Sequence, residues 1–235
     1  LLFAHLLKIR EDASKRSDFD EARRRVLDQM IKEIELSGIA LLPEVKQRFN
    51  EISDRLSQCS NKFSNNVLDA VKNYDFVVHK KDQLKGCPDW YLELASEQFN
   101  QRIKNKKTQS VADKGPWLVT LDQPNFLTIM KSCGDRELRQ KLYTDYIRRA
   151  SEGRYDNSDL IAEILTLRKE KAQLLGFKSY AELSLSRKMA GTVNSVEKLL
   201  NELKEASYQA GIKETVELSA FAKEKDCLEA LARWD

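Results

Sequence analysis

Proline is scarce in this sequence. Pro43, Pro88, Pro116 and Pro124 are all there are, and none follows Pro124. Glycine is scarce too, with eight residues. Proline breaks helices and glycine weakens them, so a long stretch almost without either favours helix. Long apolar runs are missing: nothing approaches the roughly 18 residues a membrane span needs. The opening LLFAHLL is too short for one, and no basic segment precedes it as in a secretory leader. A charge excess is missing as well. Forty Lys and Arg stand against 37 Asp and Glu, for a net +3. That is too little to argue for nucleic acid, whose binders gather basic residues on one face. The densest basic run, 102–107, reads as a solvated helix end. Cys59, Cys87, Cys133 and Cys227 show no CxxC spacing, which excludes a zinc ribbon or a dense disulfide framework. They read as free thiols of a reducing compartment. With no Asn-x-Ser/Thr site present, the expected location is the cytoplasm, or an organelle lumen such as the mitochondrion.

Recognisable chemistry is equally thin. There are two histidines, His5 and His79, and neither belongs to an HExxH helix, where paired His bind zinc and the Glu acts as base. No GxSxG, Walker A or GxGxxG pattern occurs. Mixed charge runs such as Arg168-Lys169-Glu170-Lys171 read as exposed helix faces. The aromatic residues Trp117, Phe126, Tyr143 and Tyr146 read as core, with a peptide groove as the less favoured role. No residue is therefore assigned a catalytic, cofactor-binding or metal-binding role.

What is present is helical periodicity. Residues 19–36 read as a helix stopped by Ser37-Gly38. Pro43 can open the next, whose Phe49, Ile52, Leu56, Cys59, Phe63, Val67 and Ala70 recur every three or four residues. Cys59 lies on that stripe and reads as a small buried hydrophobe. Residues 76–78 and 117–121 read as a two-stranded ribbon, with a helix over 89–106 and a polar loop over 109–115 between them. Asp135 can cap a helix reaching about residue 151. Further helices are expected over 158–175, 178–187 and 193–226, with Gly211 a weak point in the last. The 158–175 helix carries apolar residues on two sides, Ile161, Ile164 and Leu165 on one and Leu160, Leu167 and Leu174 on the other, which predicts burial between layers.

Three stretches go beyond periodicity. Residues 35–70 hold Leu36-Ser37-Gly38-Ile39 and then Leu56, Phe63, Asn66, Val67, Leu68, Asp69 and Ala70. Residues 117–149 read WLVTLDQPNFLTIMKSCGDRELRQKLYTDYIRR, and residues 156–190 begin with Asp156-Asn157 and hold Leu174-Leu175-Gly176-Phe177. In that order they resemble the thimet oligopeptidase/oligopeptidase A family of zinc metallopeptidases. Asp145 departs from the pattern, where relatives often carry Ala.

The resemblance implies a mainly α multi-helix lobe of the neurolysin-like metallopeptidase fold, with a small two-stranded β ribbon. It places 1–235 as one wall of a channel that admits oligopeptide substrates. In that family zinc is held by an HExxH helix and a more distal Glu, all C-terminal to the segment seen here. The expectation is thus that this chain holds no cofactor and supplies scaffold, that zinc belongs to a C-terminal catalytic lobe acting as its partner, and that it is inactive alone. Neither nucleic acid nor membrane is an expected partner. Both ends read as the middle of a longer protein. The alternative is a non-catalytic truncated paralogue, a helical module that binds peptides or a partner.

Overall fold

The computed structural model describes residues 2–12, 17–102 and 109–235. Among them are nine helices and one two-stranded sheet, so the fold is mainly α. The helices are α1 (Leu2–Glu11), α2 (Glu21–Leu36), α3 (Pro43–Lys72), α4 (Asp89–Arg102), α5 (Gln123–Ser132), α6 (Arg136–Ile147), α7 (Ser158–Leu174), α8 (Tyr180–Leu185) and α9 (Val193–Asp226). The strands are β1 (Phe76–Val78) and β2 (Trp117–Val119). No described helix is long and apolar enough to cross a membrane.

The chain forms two compact units, Leu1–Ser60 with Ala162–Leu200, and Asn61–Ile161 with Asn201–Asp235. In the first, α1 packs on α2 through Leu6, Leu27 and Ile31. Asp20 caps α2 by accepting the Arg23 N–H at 2.7 Å. The helix stops where Gly38 takes φ +80°, and a Cβ there would sit 2.8 Å from the Phe49 ring. Only glycine tolerates both conditions. Pro43 then opens α3, which buries Phe49, Ile52 and Cys59. The segment of α7 in this unit runs antiparallel to α3. Arg48 donates from Nε and Nη2 to Glu170 at 2.6 and 2.8 Å, and Arg55 donates likewise to Glu163 at 2.5 and 2.8 Å.

In the second unit β1 and β2 pair antiparallel, Phe76 with Val119, Val77 with Leu118 and Val78 with Trp117. Every residue of β2 is buried, because helices cover it: α4 packs on the strand, and Tyr91, Leu92, Ala95, Ile129, Leu138 and Leu142 share one apolar cluster with Trp117 and Val119. Each such aliphatic side chain contributes about 1.5–3 kcal/mol on burial. Trp117 Nε1 donates to the Ala112 carbonyl at 3.0 Å, which lets an indole sit in the core.

Several boundaries differ from the sequence reading. Strand β2 ends at Val119, because the Thr120 hydroxyl turns to donate to Asp122, the N-cap of α5. Helix α6 ends at Ile147 rather than near 151: the chain leaves helical geometry, and Ala150 takes φ +55°. Residues 103–106 of the expected 89–106 helix lie outside the described residues. Helix α9 runs unbroken through Gly211, since its neighbours are strong helix formers. Helix α7 is not buried on two sides. Leu160, Leu167 and Ala172 are buried, but Ile161 and Leu165 stand 47% and 61% exposed.

Candidate functional site

The sequence assigned no site residue, and the structure places the few suspects apart. His5 is an exposed residue of α1, and His79 is an exposed residue just after β1. Among the described residues no group of three His, Cys, Asp or Glu could hold a metal ion. The described residues do not fit the zinc that the resemblance implies. Of the basic run, Arg102 ends α4 and pairs with Asp75 at 3.0 Å, while 103–107 lie outside the described residues.

The aromatic residues divide. Trp117 is core. Phe126 and Tyr146 stack at 4.0 Å, with the Arg149 guanidinium 3.9 Å over the Tyr146 ring. Tyr143 meets Trp234 at 5.8 Å. Asp145, the residue that departs from the family pattern, accepts from the Tyr74 hydroxyl at 2.5 Å and from Lys141 Nζ at 2.9 Å. Burial, then that bond to a carboxylate, push the Tyr74 phenol above its ordinary range.

The first unit holds a cleft of about 540 Å³, within the size range of small-molecule sites. Its walls come from α2, α3, α7 and the α8 region. Phe49, Leu175 and Tyr180 give it an apolar floor, with Lys171, Arg187 and Lys188 at its edge and Glu33 opposed. Lys171 Nζ donates to Ser53 Oγ at 2.9 Å and lies 4.7 Å over the Phe49 ring. Its burial, with the Arg187 charge second, lowers its pKa. The lone carboxylate in the lining leaves a cationic surplus, so the cleft suits a small anion with an apolar body. The sequence reading missed it. Lys171 sits in a mixed charge run taken as a solvated face, and only its neighbours fit: Lys169 is exposed, and Glu170 is claimed by Arg48. No local signal marks Lys171, because Phe49 and Ser53 arrive from a distant helix.

Helix α9 exposes many large apolar residues. Of its 34 residues only Ala222 is buried, while Leu199, Leu200, Leu203, Ile212, Val216 and Phe221 all face solvent.

The sequence profile described as peptidase family M3 matches residues 129–235. The chain is 41% identical over 222 residues to a protein named probable cytosolic oligopeptidase A from Arabidopsis thaliana, covering 93% of this chain and 31% of the relative. It is 36% identical to oligopeptidase A of Haemophilus influenzae, over 96% of this chain and 32% of that protein. With oligopeptidase A of Escherichia coli it shares 37%, over 95% and 32%. The chain belongs to peptidase family M3. It spans about a third of the length of the curated relatives it matches.

The residues that carry the M3 resemblance have visible jobs, and the jobs are architectural. Ser37-Gly38 ends α2. Asp122 caps α5, accepting from the backbone N–H of Asn125 at 3.3 Å and from its side-chain amide. Asn66 Nδ2 donates to Asn157 Oδ1 at 2.8 Å, joining the first block to the third. Gly176 takes φ +81° and Phe177 N–H reaches back to the Ala172 carbonyl at 2.9 Å, closing α7.

Proposed function

We propose that this chain is part of the body of a zinc-dependent M3 oligopeptidase that hydrolyses short peptides, that it supplies scaffold and one wall of the substrate channel, and that it is inactive by itself. The observation that carries the reading is 36–41% identity to proteins named oligopeptidase A across nearly the whole chain. The zinc ligands and the general base would come from the part of the family's length that this chain does not match. The exposed large apolar residues of α9 support packing against further protein, because isolated domains rarely leave extensive apolar surface uncovered. A truncated paralogue that binds a partner would instead carry charge at those positions. The relatives' names include both a cytosolic and an organellar oligopeptidase A, so the compartment proposed is the cytoplasm or an organelle lumen.

The test incubates the purified chain with an internally quenched oligopeptide and zinc, with and without chelator. No chelator-sensitive cleavage is expected from the chain alone. Activity should appear on adding the remaining part of an oligopeptidase A, and Leu203→Lys in α9 should prevent that recovery. Chelator-sensitive cleavage by the chain alone would overturn the scaffold role.

A further inference from the structure

Two backbone segments of the second unit touch where each carries a cysteine. Gly134 N–H donates to the Lys85 carbonyl at 2.7 Å. Gly86 takes φ +91°, and a Cβ on it would lie 2.3 Å from the Ser132 carbonyl oxygen. A Cβ on Gly134 would stand 3.3 Å from the Lys85 oxygen. The close approach at 85–86 and 132–134 thus depends on glycine. It sets Cys87, just before α4, beside Cys133, the C-cap of α5. Cys87 packs against the apolar cluster that contains Cys133, and a disulfide would need their Cα atoms roughly 4.4–6.8 Å apart.

In its thiol form Cys133 Sγ–H donates to the Gln83 carbonyl at 3.0 Å. The Cys87 thiol is the largest influence holding Cys133 below its ordinary range, to about 7, while the Cys133 sulfur and then burial push Cys87 up. Arg139, which also donates to the Cys133 carbonyl at 2.7 Å, favours the thiolate further. Beside them the Tyr91 hydroxyl is wholly buried and has no hydrogen-bond partner among the described residues. Burial first, then the charges of Cys87, Asp122 and Cys133, keep it protonated. It is a spare donor within electrostatic reach of both sulfurs.

We propose that Cys87 and Cys133 form an oxidation site that peroxide converts to a disulfide, joining the start of α4 to the end of α5. The Cys133 thiolate attacks one peroxide oxygen. The O–O bond breaks, and the leaving hydroxide takes up the thiol proton as water. Cys87 sulfur then attacks the Cys133 sulfenic acid. The S–O bond breaks, the S–S bond forms, and water departs with the Cys87 proton. The two sulfurs lose two electrons, and peroxide is reduced to two waters. This holds whether or not the chain serves an oligopeptidase.

The test treats the whole purified chain with hydrogen peroxide, alkylates it and digests it with trypsin without reduction. The expected product is peptide 86–102 linked to peptide 132–136, released by dithiothreitol, with Cys59 and Cys227 recovered alkylated. Cys87→Ser should leave Cys133 as a sulfenic acid trapped by dimedone, and Cys133→Ser should leave Cys87 unoxidised. Recovery of Cys87 and Cys133 both alkylated, or either one linked to Cys59 or Cys227 instead, overturns the assignment. So does oxidation of Cys87 at an unchanged rate in Cys133→Ser.

Discussion

Replacing Asn157 by alanine removes the amide that fastens α3 to the turn before α7. Asn157 is only 2% exposed. Its Oδ1 accepts from Asn66 at 2.8 Å, and its Nδ2 donates to the Phe63 carbonyl at 3.2 Å. Each bond is worth about 1 kcal/mol net, and a partner left dry adds to the loss, so Asn157→Ala should cost about 2–3 kcal/mol. The figure stays at the lower end because Asn66 and Phe63 are only half-buried and water can reach them in part. Asn157→Asp separates hydrogen bonding from size. It keeps the acceptor for Asn66 but puts a carboxylate oxygen against the Phe63 carbonyl. Buried and opposed, that carboxyl would titrate above the roughly 3.9 of an unfolded Asp. Its penalty is therefore absent below the unfolded value and grows as pH rises, so Asn157→Asp should approach wild type near pH 4 and fall well below it at pH 7. Urea unfolding followed by circular dichroism measures both variants. A cycle with Asn66→Ala should give a coupling of about 0.5–3 kcal/mol. Additivity within about 0.5 kcal/mol, or an Asn157→Ala loss no larger than that, would falsify the account.

Four other outcomes follow from the same geometry. Gly38→Ala should destabilise by about 1–3 kcal/mol in urea unfolding, since the left-handed backbone and the Phe49 ring at 2.8 Å both oppose a Cβ. Gly211→Ala, with open space around it in mid-helix, should stabilise by about 0.5–1 kcal/mol. The Arg48 hydrogen bonds hold Glu170 below the usual carboxylate range, so their contribution is present above the unfolded pKa and lost as pH falls through the folded one. Glu170→Gln should flatten the acid limb of the stability profile by no more than about 1 kcal/mol, because the pair is solvent-exposed. Lys171→Met should raise stability at neutral pH, since burial and Arg187 disfavour the charged amine, and should abolish any thermal shift produced by small carboxylates at the cleft.

The helices and the ribbon were legible because their signals are local. The three- and four-residue spacing through Phe49, Ile52 and Cys59 needs no knowledge of the rest of the chain, and Asp135 and Gly38 mark helix ends within a few residues. The stop after Ile147 was not legible, because no proline or glycine marks it before Gly153 and the left-handed Ala150 leaves no signature. The exposure of Ile161 and Leu165 was misjudged for another reason. Periodicity reports which side of a helix is apolar, and says nothing about what covers it. The Lys171 cleft and the Cys87–Cys133 pair were invisible because each joins residues distant in the chain.

The two forked pairs between α3 and α7 act less as glue than as a vernier. Arg48 and Arg55 lie about two helical turns apart, as do Glu163 and Glu170, and the pairs run in opposite chain directions. Sliding α7 by a turn matches neither arginine. Sliding it by two restores one pairing and strands the other two charges. Reversing the direction of α7 would let both pairs form again, yet Lys171 would then lose its place over Phe49 and beside Ser53. Charges too exposed to contribute much strength thus still single out one alignment among several of similar apolar content, and one cation on the same helix tells it which way to point.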